Sequence, residues 1–271
     1  MESITLHVFR GAHGVGSLTD YEVPVTPGMV VLDAIHYIQA HTDGTLACRW
    51  NCKAAKCGSC SAEINGVPGL LCKTRVDLFP EGDIAVGPMR TFPHVRDLVT
   101  DVSWNYRVNA RIPPLRPDPA RGGAPFDLQQ EDVERVQEFR KCIECFLCQD
   151  VCHVLREHQR TDAFFGPRQM CRIAGLEMHP MDTLDRRQQL HNEAGVAYCN
   201  ITKCCTEVCP EHIHITDNAI IPMKERVVDS YFDPVAGILR KIGVLQRQPR
   251  QKAAGDAAPA TTIHSPPKSA D

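Results

Sequence analysis

Alternation of apolar and polar residues opens the chain. Ile4, Leu6 and Val8 share one face of residues 3–9, and Tyr21, Val23 and Val25 repeat the period of two, with Gly11, Gly14 and Gly16 between them. That pattern predicts two paired strands joined by a turn. The glycines match no nucleotide-binding fingerprint, which leaves the hairpin as their explanation. After Thr26-Pro27-Gly28 the period changes. Val31, Ala34, Ile35 and Ile38 recur at helical spacing and predict a helix over about 29–40. Asn65-Gly66 stands between Ala62/Ile64 and Val67/Leu70, the signature of a type I′ hairpin, and Ile84 and Val86 supply a final strand. Residues 88–126 are rich in proline and contain Gly122-Gly123, as a domain junction would. Phe92, Val95, Leu98, Val99, Val102 and Trp104 make part of that junction apolar enough to pack on a neighbour. Beyond it only helical periods occur. Asp127-x-x-Gln130 reads as a capping box ahead of Val133, Val136 and Phe139. Helices are predicted over 151–158, from Gly166-Pro167 to Met178, and over 183–193 up to Gly195. Met170, Ile173, Ala174 and Met178 form the inward stripe of the second of these. Thr216 is the expected N-cap of a last helix carrying Ile220, Met223 and Val227, kinked at Pro222. Val235, Ile238, Leu239 and Ile242, with Arg240, Lys241 and Arg247 beside them, suit either a membrane or anchor contact or a helix packed on its own domain. From Gln248 the Pro-, Ala- and Ser-rich tail is expected to be disordered. The class is α+β: a mixed-sheet domain over 1–92, a junction over 93–126 packing on a partner, an all-helical domain over 127–232, a segment over 233–247 near an anchor or membrane, and a tail over 248–271.

Composition narrows the chemistry. A length of 271 residues suits two domains, and 43% hydrophobic with 23% charged residues is a globular balance. A net charge of −3 gives no basic face for nucleic acid. Met1–Phe9 lacks the apolar core of an export signal, and no apolar run reaches membrane-spanning length. Fourteen cysteines are many for this length, and they cluster at metal-ligand spacing. A reducing cytoplasm is therefore expected, with thiols in preference to disulfides.

The cysteines fall into three groups. Cys52-x4-Cys57-x2-Cys60, with Cys72 further on, has the plant-type 2Fe–2S ligand order. Ala54, Ala55, Gly58 and Ser59 are small enough to bring the backbone close to inorganic sulfur. Cys48 could trade roles with Cys52 only by breaking the x4 spacing, and otherwise serves as a small apolar residue. Cys142-x2-Cys145-x2-Cys148-x3-Cys152 is the bacterial ferredoxin run, in which the fourth cysteine ligates the other cluster. The second run has Cys199, Cys205 and Cys209-Pro210, with Thr202 where a cysteine would stand. With ligands crossed, Cys142, Cys145, Cys148 and Cys209 hold a 4Fe–4S cluster, and Cys152, Cys199 and Cys205 hold a 3Fe–4S cluster. Cys204 is spare. Were it to reach the fourth corner, the last centre would be 4Fe–4S. Structural zinc, the other use of C-x2-C pairs, takes four ligands in two pairs and fits these groups poorly.

Together, Cys57-Gly58-Ser59-Cys60, Ile64-Asn65-Gly66, Arg96-Asp97-Leu98-Val99-Thr100-Asp101, Cys142-Ile143-Glu144-Cys145 and the Cys199/Cys205/Cys209-Pro210 triplet resemble the iron–sulfur subunits of succinate dehydrogenase and fumarate reductase. The likeness is strongest to actinobacterial forms, through Arg49-Trp50-Asn51-Cys52-Lys53 and the run Cys204 to His212. The resemblance covers roughly residues 3–230. It implies a plant-type ferredoxin (β-grasp) domain followed by an all-helical bacterial-type ferredoxin domain. It implies a partner flavoprotein whose FAD oxidises succinate, electron transfer through the three clusters, and delivery to a quinone, menaquinone being expected, at a membrane anchor. The place would be peripheral, on the cytoplasmic face of the cell membrane. No residue of this chain is expected to act as nucleophile, acid or base. The sequence departs from many relatives in having His153 rather than Pro after Cys152, Asn200 rather than His after Cys199, and no Trp after Trp104. The other classes considered are a fumarate reductase subunit, an iron–sulfur subunit of a flavin-dependent hydroxy-acid dehydrogenase, and a free ferredoxin-like carrier. The plant-type group and Thr202 speak against the hydroxy-acid enzyme, and size speaks against the carrier.

Overall fold

In the computed structural model, the described residues are 3–80, 82–117, 128–232, 234 and 238. The first half is a seven-stranded mixed sheet with one long helix. Strands β1 (Ser3–Ala12) and β2 (Val15–Pro24) pair antiparallel over their whole lengths. Helix α1 (Val31–His41) buries Val31, Leu32, Ala34, Ile35 and Ile38 in the sheet's core. Strands β3 (Ser61–Ile64) and β4 (Val67–Leu70) form the hairpin announced by Asn65-Gly66, whose φ values of 47° and 77° are those of a type I′ turn. Strand β5 (Asp83–Gly87) runs parallel to β1 and antiparallel to β3.

β5 is not the last strand. β6 (His94–Arg96) and β7 (Val99–Thr100) extend the sheet from within the junction. Phe92 and Leu98 are buried in the first core. After α2 (Ser103–Ala110), Val108 and Ile112 enter the second core. The apolar junction expected to pack on a partner is thus largely closed by the chain itself, although Val95 stays exposed. The reason is local: Asp97 accepts hydrogen bonds from the backbone amides of Gly11 (3.0 Å) and Ala47 (2.8 Å), which stitches the junction to the sheet.

The second half, over 130–231, contains only helices among the described residues. Helix α3 (Gln130–Gln137) starts from Gln129 with no side-chain cap, and Asp127 of the expected capping box lies outside the described residues. Of the helix expected over 151–158 only α5 (His153–Arg156) forms; it follows α4 (Leu147–Asp150), from which the extended backbone of Cys152 parts it. Helix α6 (Pro167–Glu177) matches its expectation and buries Met170, Ile173 and Ala174. Helix α7 (Arg187–Asn192) is shorter than expected, because Asp182 bonds the Leu184 amide (2.9 Å) and pairs with buried Arg186 (2.7 Å). After α8 (Cys204–Glu207), residues Ile215–Ile220 wind as a π-helix into α9 (Ile221–Tyr231). Pro222 falls in the first turn of α9, where the N–H it lacks has no partner within an α-helix, and the residues before it take the wider π turn. Thr216 is not the N-cap; His214 holds that position. The segment over 233–247, apart from residues 234 and 238, and the tail lie outside the described residues.

The halves interlock. Cys145, Phe146 and Leu147 of the helical half are buried in the first core. Thr91 donates to Asp150 through its amide (3.0 Å) and hydroxyl (2.9 Å), and Lys56 pairs with Glu211 at 2.9 Å.

Candidate cluster-binding centres

The first group of thiols lies on the loop between α1 and β3. Lys53, Ala55 and Gly58 take left-handed backbone conformations, with φ of 54°, 55° and 67°. The loop is thereby curled so that the amides of Ala54 and Lys56 both donate to the Cys52 sulfur at 3.3 Å. Burial works against ionising Cys57, yet hydrogen bonds from Ser59 and the Cys52 backbone lower it to about 6. Burial, with Cys72 beside it, pushes Cys60 up to about 12. Cys57 thus adjoins Cys52, and Cys60 adjoins Cys72, as a four-thiol cradle requires. Cys48 bonds the Arg49 carbonyl (3.5 Å) and packs against the apolar core.

The two remaining loops are one backbone design used twice. Each begins with a 3-10 turn, Glu138–Lys141 or Val196–Tyr198, and then an extended cysteine, Cys142 or Cys199. Two and four residues on, the backbone turns left-handed: Glu144 (56°) and Phe146 (62°), then Ile201 (60°) and Lys203 (63°). A short helix follows in each, α4 with Cys148 and α8 with Cys205. The last cysteine of each, Cys152 or Cys209, then departs for the other loop. One cavity is lined by Cys142, Cys145, Cys148 and Cys209, together with Arg168 and Cys171. A second is lined by Cys152, Cys199 and Cys205, with Thr202 and Cys204. The crossing of Cys152 and Cys209 is therefore present in the geometry.

These cavities suit inorganic clusters. Burial raises Cys145 to about 12, Cys152 to about 11 and Cys205 to about 12, and neighbouring thiols add to each. Such sulfurs become thiolates only when cationic iron stabilises them. Backbone amides aim at them as well: Ile201 at Cys199 (3.5 Å) and Ile213 at Cys209 (3.4 Å). Thr216 brings its hydroxyl within 3.4 Å of the Cys205 sulfur. No three His, Cys, Asp or Glu side chains among the described residues converge on a single metal ion.

The three groups of thiols lie in series. A Cβ on Gly58 would stand 2.6 Å from Cys145 Cα, and Ser61 Oγ donates to the Cys145 carbonyl at 2.9 Å. Fully buried Cys148 lies within electrostatic reach of Cys205.

Comparison with known proteins agrees with this order. Residues 5–106 match the 2Fe-2S iron-sulfur cluster binding domain, and residues 138–213 match the 4Fe-4S dicluster domain. The chain is 33% identical over 201 residues to the fumarate reductase iron-sulfur subunit of Mycobacterium tuberculosis, covering 71% of this chain and 79% of that protein. The corresponding subunit of Haemophilus influenzae is 31% identical over 211 residues, covering 72% and 81%. A chain of the Mycobacterium smegmatis Sdh1 complex in the apo form superposes with a TM-score of 0.84 at 58% identity, over 86% of this chain and 98% of that one. The chain belongs to the iron–sulfur subunits of succinate dehydrogenase and fumarate reductase. It is accordingly the electron-transfer subunit of an oxidoreductase. The family carries 2Fe–2S, 4Fe–4S and 3Fe–4S clusters, with FAD on a partner.

Other residues of this iron–sulfur subunit at the centres were not legible beforehand. Cys171, on α6, is fully buried against the four-thiol cavity. Arg168 lines the same cavity; a cation in the first turn of a helix, where the dipole disfavours it, was the available signal. His153, already singled out in the sequence, is the exposed first residue of α5, at the rim of the third centre.

Proposed function

We propose that this subunit conducts electrons from a flavoprotein that oxidises succinate to fumarate, through three clusters, to a quinone at a membrane anchor. Cys52, Cys57, Cys60 and Cys72 hold the 2Fe–2S cluster; Cys142, Cys145, Cys148 and Cys209 hold the 4Fe–4S cluster; Cys152, Cys199 and Cys205 hold the 3Fe–4S cluster. The clusters supply the one-electron chemistry when bound. The polypeptide spaces them, buries them and orients amides at their sulfurs. The observation that carries the proposal is the serial contact: Gly58 and Ser61 abut Cys145, and Cys148 neighbours Cys205.

The long hairpin, covering helix and parallel β1–β5 pair support a β-grasp domain over 1–92, with a helical domain over 127–232. The ends of the wire differ in surface. Exposed Trp50, with Lys53 over its ring, stands beside Cys52 and suits the flavoprotein contact. Exposed Tyr198 and Ile201 flank Cys199, and Val228, Tyr231 and Phe232 are exposed at the end of the chain's last described helix, which suits an apolar anchor. Among the described residues no helix is long and apolar enough to cross a membrane. As part of the proposal, the subunit sits peripherally on the cytoplasmic face of the cell membrane and hands electrons to menaquinone.

EPR on the purified complex tests this. An oxidised 3Fe–4S signal together with a reducible 2Fe–2S signal, and a co-purifying flavoprotein, are expected. Absence of the 3Fe–4S signal would refute the ligand set of the third centre. Relative rates of succinate oxidation and fumarate reduction separate the proposed direction from the reverse one.

A further inference from the structure

We infer that Arg168 raises the reduction potential of the four-iron centre and that Glu144 moderates its effect. The inference rests on the ligand set proposed above for Cys142, Cys145, Cys148 and Cys209. The Arg168 side chain is 6% exposed and lines the cavity formed by those four thiols. Its Nε is buried and has no hydrogen-bond partner. Its carboxylate partner, Glu144, bonds Nη2 from within the cysteine loop and is 41% exposed. The two charges are therefore unequal in effect. Water screens Glu144 strongly and Arg168 weakly, so a net positive field faces the thiols.

Position argues the same way. Arg168 is the second residue of α6, where the helix dipole disfavours a cation. A buried guanidinium there needs negative charge nearby, and one part-solvated carboxylate is an incomplete partner. Four thiolates supply the rest. Reduction adds one more negative charge to that centre, so a fixed buried cation stabilises the reduced form over the oxidised one. Arg168 also lines an outer groove with Cys142, Arg140 and Arg172, which makes its side chain a wall between the centre and solvent. It is a positioning and field-setting residue, touching neither succinate nor quinone.

The test is an EPR-monitored redox titration of the intact complex carrying Arg168→Met, Arg168→Gln, Arg168→Lys or Glu144→Gln. The charge-removing variants should shift the one-electron equilibrium of the four-iron centre at least tenfold toward the oxidised form, a 59 mV fall. Arg168→Gln keeps polar contact should the apolar variant not assemble. Arg168→Lys should stay within threefold of the parent, and Glu144→Gln should shift the opposite way. The 2Fe–2S midpoint in the same sample should not move. An unmoved four-iron midpoint with its signal intact in Arg168→Met or Arg168→Gln overturns the inference, and so does Arg168→Lys falling as far as they do. A four-iron signal that survives Cys145→Ala, which offers no donor to iron, would bring down the ligand set instead.

Discussion

The two ferredoxin-type loops share a backbone and differ at one position that matters. Both have a left-handed residue two and four places after the first cysteine, and the same amide-to-carbonyl contacts close their short helices. Three places after the first cysteine, one loop has Cys145 and the other Thr202. On the proposed ligand sets the first centre has four thiolates and the second three. The same equivalence argues against Cys204 as a ligand. It stands five places after Cys199, where the first loop has Leu147, a residue 1% exposed in the core and not a ligand. Cys204 accordingly spends its sulfur on the Val151 carbonyl (3.5 Å) and the Thr202 hydroxyl (3.3 Å). A common backbone therefore separates ligand positions from neighbours that sequence adjacency alone leaves ambiguous.

The largest effects should come from exchanging the crossed ligands. Cys209→Ser, although in the second loop, should abolish the four-iron signal, and Cys152→Ser, in the first, the three-iron signal. EPR with iron counting reads both, and the reverse pattern would mean that the loops keep their own cysteines. Thr202→Cys should make the loops equal: the oxidised three-iron signal disappears and the complex gains one iron. Retention of that signal with unchanged iron would show that position 202 does not face the missing corner.

Gly58→Ala comes next. Its φ of 67° and a Cβ 2.6 Å from Cys145 Cα combine a left-handed penalty with overpacking, for roughly 3 kcal/mol of destabilisation. Denaturant titration of the loaded protein measures it, and an unshifted midpoint would break the contact between the first two centres. Ile201 is β-branched and left-handed, so Ile201→Gly should relieve about 1 kcal/mol despite glycine's unfolded-state entropy. Smallest of all, Cys204→Ala should leave the iron inventory and EPR spectrum intact and change stability by about 0.5 kcal/mol or less. Loss of the third cluster in that variant would return Cys204 to the ligand set.

The sequence was most legible where function depends on short spacing. The hairpin at Asn65-Gly66, helix α1, helix α6 and the three cysteine groups all express local rules, and each appears in the structure near its expected place. The misjudged elements share a cause. The junction looked like a partner surface because periodicity shows that Phe92 and Leu98 are apolar but not which surface buries them. Helix 151–158 was overdrawn because Cys152 must turn out of the helix to reach the other loop. Thr216 looked like a cap, yet its hydroxyl bonds Thr206 and stands beside the Cys205 sulfur.

Three groups of thiols follow from ligand spacing, because a cysteine run a few residues long can curl around only a small body. Their connection into a wire does not follow from spacing. Gly58 meets Cys145, Ser61 bonds the same residue across 84 positions, and Arg168 enters the four-thiol cavity from another helix. Such contacts depend on how two cores close on each other, and no period or motif within one segment encodes the surface it will meet in another.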